Sequence, residues 1–290
     1  MPKTILDDIQ VDYNIFGKGQ PLIFIHGAFV NKKMWQVQVE YFVDKGFQVI
    51  TYDVRGHGET KKVKNGRREK KYSIDLFTRD LRRLIEKLEI KKPIICGVSM
   101  GGMIAQAYAA KYPKDLRALI LSNTLISTEA SLDEMMAKYY LAPKWKVLSE
   151  VRMFGVKAYV EYFFLLGQYI KAINYLGKDK EIGGYVKSTM KNFSEDEFIN
   201  VMSAVYDFEY QDISNLDIPT MIITGGYEYE LLKNHVNKFY KVIKDSTVSV
   251  ISNSGHMPNL ENPGEFNIEL DDFLKRICLS LFVDNTDNVS

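Results

Sequence analysis

Residues 93–110 read Pro93-Ile94-Ile95-Cys96-Gly97-Val98-Ser99-Met100-Gly101-Gly102-Met103-Ile104-Ala105-Gln106-Ala107-Tyr108-Ala109-Ala110. A short apolar run, a serine flanked by glycines and a helix of small residues follow one another without a spacer. Gly97 and Gly101 leave no side chain in the way of a tight strand-to-helix turn, so the chain reverses with the serine at its apex. The serine hydroxyl is then exposed on a strained backbone, and the N–H groups after it open a helix N-terminus. This is the pattern of a nucleophile elbow.

Working outward, the first 125 residues alternate strand and helix signals. Ile9–Ile15 alternates apolar and polar residues and reads as an edge strand, turned by Phe16-Gly17-Lys18-Gly19. Leu22-Ile23-Phe24-Ile25 and Phe47–Tyr52 are continuous apolar runs, as in strands covered on both faces. Between Asp75 and Leu88, apolar Leu76, Leu81, Leu84, Ile85 and Leu88 recur at helical spacing. Leu116–Leu121 is a further strand. This alternation implies an α/β fold with a mostly parallel, doubly wound sheet.

Near Ser122-Asn123-Thr124 the rhythm changes. Ser131–Tyr210 is helical in period, and its aromatic residues are about twice as dense as in the rest of the chain. Pro143, Gly155, Gly167, Gly177 and Gly183-Gly184 divide it into several short helices. Core packing accounts for most of these rings, and the surplus apolar surface is expected to face the sheet and line a pocket. Alternation resumes after Pro219 with the strand Thr220–Thr224, the helix Tyr229–Val242, the strand Thr247–Ile251 and an amphipathic helix from Pro263. The tail from Asp284 to Ser290 reads as frayed. The expected organisation is a core at 1–125 and 212–290, interrupted by a helical insertion at 126–211.

With 290 residues, 46% hydrophobic and 26% charged, the chain has the composition of a soluble globular protein. A net charge of +1 argues against nucleic acid as a partner. The basic run Lys61, Lys62, Lys64, Arg67, Arg68, Lys70 and Lys71 reads as a solvated loop. No segment approaches the roughly 20 apolar residues of a membrane span, and Met1–Asp8 lacks a signal-peptide core. Two cysteines make a disulfide framework unexpected, Cys96 reading as a small buried hydrophobe. A cytoplasmic protein acting on a small-molecule substrate is the expectation, with no cofactor or metal implied and the oligomeric state open.

A serine hydroxyl needs a general base, and the base needs an orienting acid. His256, in the loop Ser254-Gly255-His256-Met257 after the last strand, is the expected base. His26 and His57 sit in small-residue turns, His26 reading as a loop brace. His235 reads as a surface residue of a helix. The acid is expected after the strand Thr220–Thr224, where the chain reads Gly225-Gly226-Tyr227-Glu228-Tyr229-Glu230. Glu228 is the choice and Glu230 the fallback. The oxyanion donors are expected at the backbone N–H groups of Met100 and Ala28.

These pieces together resemble the α/β-hydrolase superfamily in its capped, single-domain branch. The matching segments are Ile25-His26-Gly27-Ala28, Tyr52-Asp53-Val54-Arg55-Gly56-His57-Gly58, Gly97–Gly102, Thr224–Glu228 and Ser254-Gly255-His256, spread over nearly the whole chain. The resemblance implies a mostly parallel eight-stranded sheet flanked by helices, with a helical cap between the sixth and seventh strands. It also implies structural roles for His57 and Asp53. The departure is Glu228, where the family pattern usually has aspartate.

The expected reaction is hydrolysis of a carboxylic ester or lactone through a Ser99 acyl-enzyme, with His256 as base and Glu228 as orienting acid. A serine at this place argues against the alkyl-transferring dehalogenases and epoxide hydrolases of the superfamily, which carry aspartate there. The aromatic, Met-rich insertion (Met135, Met136, Met153, Met190, Met202) suggests a small to medium apolar group. The same triad is compatible with carbon–carbon bond hydrolysis, perhydrolysis or lyase chemistry, or with a small-molecule sensor of little turnover.

Overall fold

A computed structural model describes residues 2–63, 71–128, 143–169 and 180–286. The described sheet comprises β1 (Lys3–Leu6), β2 (Ile9–Phe16), β3 (Pro21–Ile25), β4 (Gln48–Tyr52), β5 (Lys61–Lys62), β6 (Ile94–Val98), β7 (Ala118–Ser122), β8 (Thr220–Gly225) and β9 (Ser246–Ile251). Eight strands follow the order β1-β2-β4-β3-β6-β7-β8-β9, and the two-residue β5 pairs with β2. From β4 to β9 every pairing is parallel, whereas β1 and β2 are antiparallel to their neighbours. The central strands are buried along their length, as continuous apolar runs require. At the β9 edge, exposed Val248 and Val250 alternate with buried Ser249 and Ile251.

Ile9–Ile15 is not the edge strand that its alternation suggests. Lys3–Leu6 adds outside it in register Lys3↔Asp12 to Leu6↔Ile9, burying only Leu6 of its four residues. A strand with one buried side chain carries too little periodicity to be read from sequence.

Helices α1 (Gln36–Asp44), α2 (Ile74–Lys87) and α3 (Met100–Lys111) pack against this half of the sheet. Ser73 caps α2, its Oγ accepting from Leu76 N–H at 3.1 Å, and the face bearing Leu76, Phe77, Leu81, Leu84 and Ile85 is buried. Between β7 and β8 the described residues form α4 (Lys144–Tyr169), α5 (Lys180–Lys191) and α6 (Glu195–Tyr206). Gly155 breaks α4 with φ 77°, ψ 159°. Gly183 and Gly184, by contrast, lie inside α5 and do not end it. No heavy atom lies within 4 Å of where their Cβ atoms would stand, and packing by Val186 and Met190 overrides their weak helix propensity. Residues 129–142 and 170–179 of the expected insertion, with Met135, Met136 and Gly177, lie outside the described residues, as do Lys64 to Lys70 of the basic run and the tail from 287.

After β8 come α7 (Glu230–Val242), α8 (Pro258–Glu261) and α9 (Pro263–Thr286). His235, expected at the surface, is fully buried. It shares the inner face of α7 with Leu232, Val236 and Phe239, and its Nδ1 accepts the N–H of Ile126 at 3.1 Å. The chain leaving β7 thus finds its partner in an inward-facing histidine. Among the described residues no helix is long and apolar enough to cross a membrane.

One buried ion cluster ties the antiparallel end to the helices. Arg55, just after β4, makes a bidentate pair with Asp8 (2.7 and 2.7 Å) and a second with Asp80 of α2 (2.7 and 2.9 Å). Burial opposes the charge on Arg55, but its bonds to Asp80 and Asp8 outweigh it and hold the guanidinium protonated. Removing one partner of such a cluster strands buried charge. Replacing Arg55 with leucine should lower the unfolding free energy by about 3–5 kcal/mol in urea titrations; a loss below about 1 kcal/mol would contradict this picture.

Candidate active site

Ser99 follows β6 directly and begins α3 with φ 53° and ψ −119°, a conformation L-residues adopt only when their surroundings impose it. Here the imposition is backbone packing. A Cβ on Gly97 would overlap the carbonyl of Gly101, and one on Gly101 would overlap the carbonyl of Ile25 and stand 2.8 Å from that of His26. Ser99 donates its N–H to Ser122 O (3.0 Å), and its own carbonyl accepts from Thr124 Oγ1 (2.8 Å). The serine is half-buried, whereas Val98 and Met100 on either side are buried.

The loop after β3 meets this turn because β3 and β6 are parallel neighbours in register Ile25↔Gly97. The chain moves outward from β3 to β4 and then to β6 on the other side, so Ser99 and residues 26–29 share the switch point of the sheet. A Cβ on Gly27 would stand 3.4 Å from Ser99 Cβ. The N–H groups of Ala28 and Met100 donate to no acceptor among the described residues.

Two histidines hold this loop. His26 Nε2 accepts the N–H of Val54 (2.9 Å) while Nδ1 faces Gly27 O (2.7 Å). His57 Nε2 accepts the N–H of Phe29 (3.1 Å) while Nδ1 faces Arg55 O (3.0 Å). Both rings therefore carry the proton on Nδ1 and accept at Nε2. Burial depresses their pKa values to about 4 for His26 and about 3 for His57. Asp53 adds to the frame, accepting from Lys32 N–H (2.8 Å), Lys32 Nζ (3.0 Å) and Glu59 N–H (2.8 Å).

At the ends of β8 and β9 the imidazole of His256 meets Glu228, Nδ1 to Oε2 at 2.8 Å. Both side chains are buried. The carboxylate fixes the Nδ1–H tautomer and makes Nε2 the basic nitrogen. Glu228 Oε1 accepts the N–H of Tyr229 (2.9 Å), so both its oxygens are engaged. Glu230 starts α7 with its side chain 83% exposed and pairs with Lys233. Only Glu228 is brought to the histidine.

Two further residues position this pair and escape sequence reasoning. Asn123, at φ 40° after β7, donates from Nδ2 to Gly255 O (2.7 Å) and accepts at Oδ1 from Gly225 N–H (3.1 Å). It thereby bridges the loops that carry Glu228 and His256. Glu261 accepts from Gly255 N–H (2.6 Å) and Met257 N–H (2.9 Å), one on each side of His256. Burial raises its pKa against the pull of those two amides. An asparagine at a strand end is the only local signal for the first; a carboxylate five residues after the histidine is the only one for the second.

Of the described members of the basic run, Lys61 pairs with nearby Glu59 (3.5 Å), and two turn to the inserted helices. Lys62 pairs with Glu197 (2.7 Å) and Lys71 with Asp207 (3.3 Å). Among the described residues no group of three or more His, Cys, Asp or Glu side chains is arranged to hold a metal ion.

A family model described as the alpha/beta hydrolase fold matches residues 20–146. Similar proteins include a 3-oxoadipate enol-lactonase of Acinetobacter baylyi, 27% identical over 93% of this chain and 94% of its own. A non-heme chloroperoxidase of Kitasatospora aureofaciens is 27% identical over 94% and 98%. Among solved structures, an esterase from Thermogutta terrifontis superposes with a TM-score of 0.78 at 21% identity, covering 96% of this chain and 99% of that one. The chain has the α/β-hydrolase fold.

The buried neutral histidines make a pH prediction. His26, His57 and His235 (the last also depressed to about 4 by burial) titrate below the ordinary 6.5 when folded. The unfolded chain therefore takes up more protons as pH falls below about 6.5. Stability is full above that value and is lost progressively down to the folded pKa values. Each ring contributes a slope of about 1.4 kcal/mol per pH unit within that window. Denaturant unfolding of His235→Asn between pH 6 and 5 should show a slope shallower than wild type by about that amount; identical slopes would mean the ring is not neutral in the fold.

Proposed function

We propose that this α/β hydrolase is a serine hydrolase that cleaves a carboxylic ester or lactone of a small to medium apolar substrate. The observation that carries the reading is the buried 2.8 Å bond from His256 Nδ1 to Glu228 Oε2, at the same sheet edge as a strained serine. Relatives named as an enol-lactonase and an esterase support acyl chemistry.

In this reading Ser99 Oγ attacks the carbonyl carbon while its proton passes to His256 Nε2. The carbonyl π electrons move to the oxygen, which takes hydrogen bonds from the N–H groups of Ala28 and Met100. Collapse expels the alkoxide, protonated by the imidazolium, and leaves Ser99 acylated. Water then attacks the acyl carbon with the same imidazole as base, releasing the acid and restoring the serine. Glu228 keeps its charge throughout and stabilises the imidazolium. Residues 126–211 act as the cap, with Tyr159 of α4 and Phe198 and Tyr206 of α6 among its buried aromatic side chains.

The relative named a non-heme chloroperoxidase favours a second reading. Hydrogen peroxide replaces water in the deacylation step, and the product is a peroxyacid. Product analysis with an ester, in the presence and absence of peroxide, separates the two readings.

With p-nitrophenyl esters of increasing chain length and with lactones, Ser99→Ala should lose about 10⁴-fold or more in kcat, and Glu228→Gln on the order of 10³- to 10⁴-fold. A Ser99→Ala variant as active as wild type refutes the assignment. A Glu228→Gln variant with full kcat removes the glutamate from the triad while leaving the serine in place.

A further inference from the structure

We propose that Phe29 is a positioning residue through which the cap sets the oxyanion hole, an inference that rests on the serine-hydrolase reading above. Phe29 directly follows Ala28, whose N–H is the second oxyanion donor in that reading. Its φ is +64°, a left-handed backbone that a bulky aromatic residue does not hold unaided. Two restraints hold it, and they come from different parts of the molecule.

From the core side, His57 accepts the Phe29 N–H at 3.1 Å and is itself fixed against Arg55 O. From the cap side, the Phe29 ring stacks on Phe198 of α6, with centroids 4.4 Å apart and planes at 21°. Phe193, in the turn before α6, meets the same ring edge-on at 5.3 Å. Phe193 also packs edge-on against His57 at 5.1 Å, so one cap ring touches both the residue and its brace. Two positions further on, Tyr185 Oη of α5 takes the Asn31 N–H (3.4 Å) and donates to Asn31 Oδ1 (3.2 Å). The loop bearing Ala28 is thus pinned at two points by cap side chains.

A left-handed φ at Phe29 is unfavourable unless its surroundings impose it. Take away the stacked rings, and the loop relaxes toward φ < 0; the Ala28–Phe29 peptide turns, Ala28 is re-seated, and the preceding Gly27–Ala28 peptide, which carries the Ala28 N–H, turns with it. An oxyanion donor acts only within about 3 Å of the forming anion, so such a rotation weakens transition-state binding more than substrate binding. A cap ring that merely lines the pocket behaves otherwise: its loss affects KM and depends on the size of the acyl group.

The experiment compares wild type, Phe29→Leu, the conservative Phe29→Tyr, Phe198→Leu, the Phe29→Leu/Phe198→Leu double variant and the milder Tyr185→Phe, which removes one hydroxyl. The readouts are kcat and KM for p-nitrophenyl acetate and p-nitrophenyl butyrate, and amide hydrogen exchange across residues 27–32. Phe198→Leu should lower kcat on the order of 10-fold on both esters with KM within about 3-fold. The double variant should lose no more than Phe29→Leu alone, and Phe29→Tyr should restore most of the rate. Exchange at 27–32 should quicken about 10-fold in Phe198→Leu, and less in Tyr185→Phe, while residues 94–104 are unchanged. Additive losses in the double variant, a loss confined to KM or to one ester, or unchanged exchange at 27–32 would overturn the proposal. Activity surviving in Ser99→Ala instead overturns the hydrolase reading, and the exchange arm still reads whether the cap holds the loop.

Discussion

The fold depends on a three-way backbone contact. The turn at Ser99 closes because Gly97 faces Gly101 and Gly101 faces the carbonyls of Ile25 and His26, with no side chain between them. That contact fixes the strained serine and brings β3 and its loop against the elbow. It also sets α3 so deep that every residue from Met100 to Ala109 is buried. Parallel register does the rest. With Ile25 beside Gly97, Val98 beside Ser122 and Gly225 beside Ile251, the loops after β3, β6, β7, β8 and β9 all open at one edge. The strain at one residue is therefore maintained by packing over the whole sheet.

The four histidines divide by what their Nδ1 and Nε2 atoms meet. His26 and His57 each span two backbone groups, so their rings act as neutral spacers between loops. His235 accepts the backbone amide of Ile126 at the entrance to the insertion. His256 meets a carboxylate, that of Glu228. Burial keeps the first three uncharged. Residue type is the same in all four; the partner sets the function.

Much of this was legible in the chain. Glycine spacing around Ser99 and the apolar runs at 22–25 and 94–96 specify a strand–turn–helix in a parallel sheet, and the structure has both. The pairing of Glu228 with His256 was likewise approachable, since both follow apolar strands in short loops. What escaped depends on contacts distant in sequence. Asn123 bridges Gly225 and Gly255, 102 and 132 residues away, and an asparagine at a strand end is too weak a local signal to show it. His235 looked polar on an amphipathic helix because an unpaired amide at Ile126 cannot be seen from residue 235. Gly183 and Gly184 looked like a break because local propensity does not register the packing of Val186 and Met190. The strand at Lys3–Leu6 was silent because a single buried leucine has no period.

The central claim is that Ser99 is a nucleophile activated by His256. Mass spectrometry after treatment with a fluorophosphonate tests it most directly. One phosphonyl adduct per chain, carried by the peptide containing Ser99 and absent from both Ser99→Ala and His256→Ala, is the predicted result. Equal labelling of wild type and Ser99→Ala would contradict it.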